Sequence, residues 1–514
     1  MSQPIRTATL PPTLWQGGIF SAHSLARVNR ELISALLKLD PYWQVHLIGL
    51  ESGDAIENAD QHPLRPYLLG EHAPPAHGWQ VWVRHQFPPD WSYSPVPLAI
   101  IQPWEFGAAP RDWVEQIRTR NAQLWTPSRF VYETFLKAGV PESQLRLVPN
   151  GVNPDQFRPD LPPLDLTRWG LTNVPRESFA HRYKFLFVGG SVRRKGIDVL
   201  LNAYRAAFRA GDEVLLIVKD FGAQDVYSTH NYYAQLIEWA RNPSLPPLLY
   251  IPETIPESEM ARLYCAADCL VHPYRAEGFG LPIAEAMACA RPVIITGFGA
   301  CLDFCNEQTA YLLPAEIRPL EEVRGFEVVG TPFWAEPSQD ALIETMRMVA
   351  ANPQAARQKG QAACEHIRAA FRWEHAATIA ARCLQELAEG ATQYATYYHI
   401  GLSRLENEDS ETALQLFARA IDAEPLNPHL YEAAVQALLQ QNRWDDAETL
   451  LDKARQILPD APNLLAQKAW LLLYTEREQQ AYPLVMKLLR AGYSDPHWLR
   501  EVVLPLRNYF YCRA

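Results

Sequence analysis

The segment AEGFGLPIAEAMACARPVI, from Ala276 to Ile294, contains two glutamates on either side of a glycine turn. Glu277 and Glu285 are eight positions apart, and Gly278 and Gly280 lie between them. The glycines let the backbone approach a ligand, while the carboxylates can accept hydrogen bonds from sugar hydroxyls. For this stretch alone, glutamates that favour a helix N-terminus and glycines that merely turn the chain are an alternative interpretation.

Apolar residues on both sides place this segment between a strand and a helix. CLVHPY (Cys269–Tyr274) is typical of a buried strand, and Pro282 suits the first turn of a helix that runs to about Ala290. Glu277 would then lie in the loop, with Glu285 about one turn into the helix. Such a site offers acceptors for hydroxyls beside amide donors for a phosphate.

A second strand, glycine turn and helix are predicted in FVGGSVRRKGIDVLLNAY, from Phe187 to Tyr204. The loop carries two glycines and three cations: Gly189, Gly190, Arg193, Arg194 and Lys195. Cations beside glycine amides at a helix start stabilise a diphosphate and the charge that grows on it as it leaves. The nucleoside-triphosphate loop pattern G-x-x-x-x-G-K-[ST] is not found, and a solvated basic turn is the alternative.

The surrounding chain alternates short apolar runs with amphipathic segments, which predicts a doubly wound α/β fold. The apolar runs are QVHLIGL (Gln44–Leu50), VWVRH (Val81–His85), PLAIIQP (Pro97–Pro103), KFLFVGG (Lys184–Gly190), EVLLIVK (Glu213–Lys219) and CLVHPY. The proline-rich stretch Val148–Leu166 interrupts the pattern, which restarts at Lys184. We therefore expect two Rossmann-like halves, joined by a linker, with a ligand cleft between them.

After about residue 390 the pattern becomes all-helical with a period of 34 residues. Residues that recur at this spacing are Ala413, Ala447 and Ala481; Phe417, Leu451 and Val485; Ala420, Ala454 and Leu488; and Pro425 with Pro459. Gly401 stands twelve positions before Ala413, where such repeats have a small residue. The pattern resembles the tetratricopeptide repeat, with two clear copies and a third, from about Pro462, that lacks the closing proline.

The bulk composition is that of a folded, acidic protein. The 48% apolar residues and 11% aromatics are those of a folded protein, and the net charge of −11 argues against nucleic acid as the main partner, since phosphate binding needs a basic surface. A local basic patch leaves peripheral membrane contact open. No stretch approaches the roughly 20 apolar residues of a spanning helix, and the N-terminus lacks the apolar core of a signal peptide. We therefore expect a soluble, cytoplasmic protein.

The eight cysteines include no C-x-x-C pair. Cys265 with Cys269, and Cys301 with Cys305, are each four positions apart, a spacing that can place two thiols on one helical face. We interpret these thiols as buried small apolar groups rather than metal ligands.

Four segments carry a more specific resemblance. They are EGFGLPIAEAMACARPVI, FVGGSVRRKGIDVLLNAY, TPSRFVYETFLKAGVPESQLRLVPNGVNPDQF (Thr126–Phe157) and LYCAADCLVHPY (Leu263–Tyr274). In this order and setting they resemble landmarks of the retaining glycosyltransferases of family four, and they cover much of Thr126–Thr296. The Glu-x7-Glu spacing is the strongest of these signals, whereas glycine turns alone would be weak.

The resemblance implies the GT-B fold, in which two Rossmann-like domains face a cleft, and a hexosyltransferase that uses a nucleotide sugar. We expect an acceptor-side domain at residues 1–165, a nucleotide-sugar-binding domain at 166–390 and a tetratricopeptide-like helical domain at 391–514.

The resemblance also implies roles for individual residues. Glu277 would bond hydroxyls of the donor sugar, Glu285 the ribose of the nucleotide, and Lys195 the diphosphate. The Gly17-Gly18 turn in LWQGGIFSAHSLA would match the family's first glycine loop, which borders the phosphates and the acceptor. The remaining donor-binding residues implied are Gly189, Gly190, Arg193, Phe279, Gly280 and Leu281.

Two departures from the family's pattern concern the cleft. The family often has Gly-Arg where this chain has Gly189-Gly190, so Arg194, in preference to Arg193, would reach the diphosphate from further along the loop. Many members carry a histidine near the sugar, and IIQPWEFG (Ile100–Gly107) has Glu105 at the corresponding place.

A carboxylate at Glu105 could orient an acceptor or act as a base, which leaves the stereochemical outcome open; a glutamate without chemistry is the alternative. His85, in VWVRHQFPPDW, is a rival sugar contact, although a lone histidine beside a strand is more often structural.

No D-x-D triplet occurs in the chain, the motif that enzymes of the other large glycosyltransferase fold commonly use to hold a metal against the diphosphate. We expect metal-independent activation of the donor, no cofactor, and a UDP- or GDP-sugar as co-substrate. The resemblance implies retention by front-face substitution, with the departing phosphate taking the acceptor proton.

Tetratricopeptide arrays present a concave surface to extended chains, so a protein or peptide acceptor is the leading hypothesis. A lipid-linked or surface polysaccharide intermediate is the competing acceptor, with the repeats serving dimerisation or assembly; an oligomer is left open. A catalytically inactive scaffold is a second class, and the presence of Lys195, Glu277 and Glu285 together counts against it.

Overall fold

The computed structural model describes residues 9–68, 79–92, 94, 96–221, 232–323, 325–459, 461–491, 493, 498–504 and 506. The first eight residues of the N-terminal stretch, Cys512 and the last residues of the predicted repeat domain lie outside this range.

Two parallel sheets and a C-terminal run of helices make up the fold. The strands are β1 Thr13–Gly17, β2 Val45–Gly49, β3 Val81–His85, β4 Leu98–Ile101, β5 Gln123–Thr126, β6 Leu145–Leu147, β7 Leu171–Thr172, β8 Tyr183–Val188, β9 Val214–Lys219, β10 Leu248–Ile251, β11 Cys269–His272, β12 Val293–Thr296, β13 Tyr311–Leu313, β14 Ala315–Pro319 and β15 Phe333–Pro337. The helices are α1 Ser24–Leu39, α2 Arg111–Thr119, α3 Arg129–Lys137, α4 Ile197–Ala207, α5 Tyr233–Trp239, α6 Glu257–Ala266, α7 Leu281–Ala288, α8 Gln339–Ala351, α9 Pro353–Ala370, α10 Trp373–Glu406, α11 Ser410–Ala423, α12 Pro428–Gln440, α13 Trp444–Ile457, α14 Pro462–Tyr474 and α15 Glu478–Arg490.

The first sheet has the strand order β2-β1-β3-β4-β5-β6, and all its neighbours are parallel. The second has the order β13-β12-β11-β8-β9-β10-β7, in which only the short β7 runs antiparallel. In both sheets the strand order reverses beside the first long strand, between β1 and β3 and between β8 and β11. Ligands of doubly wound sheets bind outside the carboxyl ends of the strands at such points. The predicted pair of Rossmann-like halves is confirmed.

Helix α10, which follows the second half in the chain, packs against the first half. Its first turns, at Trp373, Ala377, Ala380 and Leu384, share a buried core with Trp15 of β1 and with α1. The helix then continues without a break past residue 390 to Glu406. The predicted domain bounds remain predictions. Helix α10 runs without a break across the bound predicted between residues 390 and 391.

A β-hairpin segment, residues 315–337, which we name the strap, also joins the two halves. Val323 of the strap is buried in the core of the first sheet, and the ring of Phe326 contacts Trp104 at 5.7 Å and Trp113 at 5.6 Å. A backbone bridge pairs Pro110 with Val328. The strap therefore crosses from the second domain and packs its apolar side chains on the first.

The repeat helices pack through the predicted small residues. Ala413, Ala447 and Ala481 are fully buried. A Cβ at Gly401 would lie 2.6 Å from the Phe417 ring, so only glycine allows α10 and α11 to pack this closely. The helix pairs α12–α13 and α14–α15 follow at the predicted spacing.

The four-residue cysteine spacings do not place two thiols on one helical face. Helix α6 ends at Ala266, so Cys269 begins strand β11 instead of extending the face that carries Cys265. Cys301 and Cys305 lie in and just after a single short 3-10 turn, and both are buried. Within the described residues, no group of three His, Cys, Asp or Glu side chains is arranged to hold a metal ion.

Among the helices that the structure describes, none is both long enough and apolar enough to span a membrane.

Candidate active site

The two predicted motifs meet at the strand-order reversal of the second sheet. Strand β8 leads into Gly189-Gly190 and the cationic turn, and the neighbouring strand β11 leads into the loop with Glu277. A Cβ at Gly196 would lie 1.8 Å from the Pro273 carbonyl oxygen, and Gly196 has a φ of +74°. Glycine there lets the two loops touch through their backbones.

An ion pair joins the loops. The Lys195 ammonium donates to Glu277 Oε1, and both side chains are largely buried. Burial alone would raise the pKa of Glu277, but the charges of Lys195 and Arg194 outweigh it and hold that pKa below its usual value. Glu277 is therefore an anion at neutral pH and can accept hydrogen bonds from hydroxyls.

Arg194 links this pair to the first domain. Its guanidinium donates to the Ala276 carbonyl at 2.9 Å, and Nη1 lies 3.8 Å from Glu277 Oε2. Nη2 lies 3.3 Å from Oε1 of Glu105, which follows strand β4 of the first sheet. The structure thus brings Lys195, Arg194, Glu277 and Glu105 together at the boundary of the two domains.

The glycine motif abuts the same part of the first domain. A Cβ at Gly278 would lie 3.0 Å from Pro103, and the Ser128 hydroxyl donates to the Gly278 carbonyl at 2.9 Å. Gly280 has a φ of +94°, which favours glycine, and helix α7 begins directly after it at Leu281. The Phe279 ring is buried and packs against Phe304, so a contact of this residue with the donor stays a prediction.

Glu285 is buried and already has two partners. The Tyr264 hydroxyl donates to Oε2 at 2.8 Å, and Arg27 Nη1 lies 2.7 Å from Oε1. Burial raises the pKa of Glu285, and the Arg27 charge only partly opposes that rise. Arg27 belongs to α1 of the first domain, so this predicted ribose ligand is part of an interdomain contact.

The same helix makes further ion pairs across the interface. Arg27 Nε lies 3.1 Å, and Arg30 Nη2 2.7 Å, from the carboxylate of Glu257 on α6. We name these residues, together with Glu285, the clasp.

Arg275 packs under the cationic turn through hydrogen bonds to its backbone and to the start of α4. Its guanidinium pairs with Asp198 at 2.7 and 2.8 Å, contacts both oxygens of Glu336 at 2.6 Å, and also donates to the Arg193 carbonyl. Burial opposes the charged form, but the hydrogen bonds to the two carboxylates outweigh it and raise the pKa of Arg275. The Arg193 side chain points to the strap, with its guanidinium 5.6 Å from the Trp334 ring.

The Gly17-Gly18 turn follows β1, a strand that the sequence shows only weakly. The Glu51 carboxylate accepts hydrogen bonds from the next two backbone N–H groups, those of Ile19 at 2.8 Å and Phe20 at 2.9 Å. Asn29 donates to the Gly18 carbonyl at 2.9 Å. The turn is therefore held in place by side chains of its own domain.

His85 lies behind this turn and is fully buried. Its Nδ1 is 2.8 Å from Asn29 Oδ1, and burial lowers the pKa of His85 to about 3. The side chain thus helps to fix the first glycine loop, and a role in sugar contact stays a prediction.

Sequence reasoning missed four side chains of this region: Arg27, Tyr264, His272 and Arg275. Only His272 had a local signal, because it is a polar residue at the end of an otherwise apolar strand segment. The other three act through partners far away in the sequence.

Two segments of the chain match known protein families. Residues 174–319 match the family model of glycosyl transferases group 1, and residues 398–462 match a tetratricopeptide repeat. The D-inositol 3-phosphate glycosyltransferase 1 of Catenulispora acidiphila is 30% identical over 207 residues, which is 39% of this chain and 47% of that protein. The chain thus spans less than half the length of this curated relative.

Solved structures share the fold at low identity. Sucrose-phosphate synthase from Thermosynechococcus elongatus has a TM-score of 0.50 at 19% identity, and the match covers 73% of this chain and 98% of that one. A glycosyltransferase from Rickettsia africae has a TM-score of 0.53 at 15% identity over 73% and 98% of the two chains. The chain therefore has the GT-B fold, and its two family matches, to glycosyl transferases group 1 and to the tetratricopeptide repeat, lie in the segments whose motifs indicated them.

Proposed function

We propose that this protein transfers a hexose from a nucleotide sugar to a hydroxyl acceptor. The observation that carries the proposal is the cluster of Lys195, Arg194 and Glu277 at the strand-order reversal of the second sheet, facing Glu105 of the first domain. Two cations and a carboxylate that stays ionised match a donor that is a diphosphate at one end and a polyol at the other.

Donor binding would exchange the partners of these side chains. Lys195 and Arg194 would turn to the diphosphate, where their charges stabilise the negative charge that grows as the glycosidic bond breaks. The freed Glu277 carboxylate would accept hydrogen bonds from hydroxyls of the hexose and fix its orientation. Backbone amides around Gly190 and Gly280 would complete the phosphate site.

We infer that the reaction retains configuration and needs no metal. The acceptor hydroxyl would attack from the face that the diphosphate leaves, and the departing phosphate oxygen would take its proton. Glu105 would orient that hydroxyl, since its carboxylate stands at the domain boundary beside Arg194. Product analysis by NMR, which distinguishes the two anomers, tests the stereochemistry; an inverted product would instead make Glu105 the base.

We further propose that Glu285 binds the ribose of the nucleotide. In the free protein, Arg27 and Tyr264 occupy its two oxygens. Each carboxylate oxygen has a second acceptor site, so the ribose hydroxyls would share Glu285 with Arg27 and Tyr264.

A protein or peptide is the acceptor that the repeats favour. The helices α10 and α11 contact the first domain, which we predict to be the acceptor side: α10 packs on α1, Arg146 pairs with Glu386 at 2.9 Å, and Asn121 donates to the Ala423 carbonyl at 3.4 Å. An extended chain bound by the repeats would thus be held by the domain that presents acceptors.

Isothermal titration with UDP- and GDP-sugars, with and without magnesium, tests the function. We expect binding of at least one nucleotide sugar, and equal affinity with and without magnesium. Glu277→Gln should lose turnover and keep most of the nucleotide affinity, while the exposed Glu133→Gln serves as a matched control. Failure of the folded protein to bind any nucleotide sugar would favour the scaffold alternative, and wild-type turnover by Glu277→Gln would contradict the role of that residue.

A further inference from the structure

His272 is the last residue of strand β11, directly beside β8 at the strand-order reversal. Its ring is completely buried and stacks on Phe187 of β8, with the ring centroids 5.1 Å apart and the planes at 20°. The side chain therefore lies between the two loops that carry Lys195 and Glu277, at the place where a doubly wound sheet binds its ligand.

No described residue makes a hydrogen bond of ordinary geometry with either ring nitrogen of His272, and the Val188 backbone gives the ring only a weaker polar contact. Burial lowers the pKa of His272 to about 4; the Lys195 and Arg194 charges add to the effect, while Glu277 and the Val188 backbone oppose it. The imidazole is thus neutral at pH 7 and has one N–H donor and one lone pair. Buried polar atoms without partners are rare in folded proteins, and each one calls for an explanation.

The unpaired ring faces the predicted phosphate loop. A Cβ at Gly189 would lie 3.6 Å from His272 Nε2 and 3.8 Å from Lys195 Cδ. These three residues therefore border one small space at the start of the glycine turn. The Lys195–Glu277 ion pair lies beside that space, and donor binding would draw Lys195 away from Glu277.

We propose that His272 is a further donor-binding residue, whose ring N–H donates to a diphosphate oxygen of the nucleotide sugar once Lys195 has left Glu277. The inference rests on the proposed function, because it takes the nucleoside diphosphate as the ligand. It explains why a buried imidazole lacks a hydrogen bond of ordinary geometry in the free protein: its partner arrives with the donor.

His272→Phe tests this assignment, because phenylalanine keeps the stack on Phe187 and removes both nitrogens. The free variant should unfold at the same or a higher temperature than the wild type, since an unpaired buried polar group is lost. Its affinity for the free nucleoside diphosphate, UDP or GDP, should fall about tenfold, as expected for one lost hydrogen bond. His272→Gln, which restores an N–H at similar reach, should recover part of the affinity.

His46→Phe is the matched control. The His46 ring also has an unpartnered nitrogen and packs edge-on against Trp79 at 4.5 Å, but it lies on β2, in the first domain. This variant should bind the nucleoside diphosphate like the wild type.

Three results would overturn the proposal. Wild-type affinity in His272→Phe would show that no contact is made. A lower unfolding temperature of the free variant, with no recovery in His272→Gln, would show a structural role. Weaker binding of the intact nucleotide sugar alone, with UDP or GDP unaffected, would move the contact to the hexose. If the folded wild type binds neither UDP nor GDP, the proposed function fails as well. The three results above instead overturn only the role of His272, because in each of them the wild type still binds the nucleotide.

Discussion

Replacing Lys195 with methionine separates the contribution of the Lys195–Glu277 pair to stability from its role in donor binding. Methionine keeps much of the apolar stem of lysine but removes its charge. Glu277 then stays buried, and its remaining cationic partner is Arg194, whose Nη1 lies 3.8 Å from Glu277 Oε2. Breaking one side of a buried ion pair destabilises proteins by about 3–5 kcal/mol, whereas replacing both partners is often nearly neutral. Because Arg194 remains, we expect a loss of about 2–3 kcal/mol in Lys195→Met.

A double-mutant cycle with Glu277→Gln measures this coupling by urea unfolding at pH 7. The double variant should regain most of the stability that Lys195→Met loses, while donor turnover stays absent in both. The exposed pair of Lys137 and Glu133 is the control, whose coupling should lie within about 0.5 kcal/mol of zero.

The pH dependence gives a second readout with a defined sign. In the wild type the folded-state pKa of Glu277 is lowered, so its stabilisation is present above the unfolded pKa and is lost as the pH falls through the folded pKa. In Lys195→Met burial would raise that pKa, so stability should instead fall as the pH rises through it. The two stability curves should therefore converge towards acid pH. A single variant as stable as the double one, or curves that stay parallel, would refute the reasoning.

Three further predictions concern the interdomain contacts and the repeats. The double variant Arg27→Gln, Arg30→Gln removes the cations of the clasp. Backbone hydrogen exchange in α6 and α7, measured by mass spectrometry, should then become about tenfold faster or more. The control Lys38→Gln, at an exposed position of α1, should leave the exchange rates unchanged. Phe326→Ala in the strap should lower the free energy of unfolding by about 2 kcal/mol in urea, because the substitution removes a half-buried ring that contacts Trp104 and Trp113. An unchanged unfolding midpoint would show that the strap is not packed on the first domain. A chain ending at residue 408 should keep α10 and donor hydrolysis but lose transfer to a macromolecular acceptor, and an equal loss of both activities would make the repeats part of the catalytic fold.

The sequence predicts the positions of the two glycine loops well because their information is local. Glycine turns after apolar strands determine where the loops lie, and Lys195 and Glu277 sit inside those loops. Once two parallel strands are neighbours, their carboxyl ends meet at one edge, so the ion pair follows from the topology. For the same reason, His272 becomes a site residue only when β11 is known to lie beside β8.

The interdomain contacts could not be predicted from a single sequence. Arg27 and Glu285 are more than 250 positions apart, and neither has a local pattern that names the other. Glu105 shows only as a departure from a family pattern, and its contact with Arg194 depends on how the two domains meet. The continuous α10 was also missed, because its alanines satisfy a helical pattern equally well against the first sheet and within the repeats.

The central claim is that a diphosphate takes the cations that pair with Glu277 in the free protein. A crystal structure with a bound nucleotide sugar tests it most directly. We predict the diphosphate within hydrogen-bond distance of the Lys195 ammonium and the Arg194 guanidinium, with Glu277 on hydroxyls of the hexose. An intact Lys195–Glu277 pair, with the ligand bound elsewhere in the molecule, would contradict it.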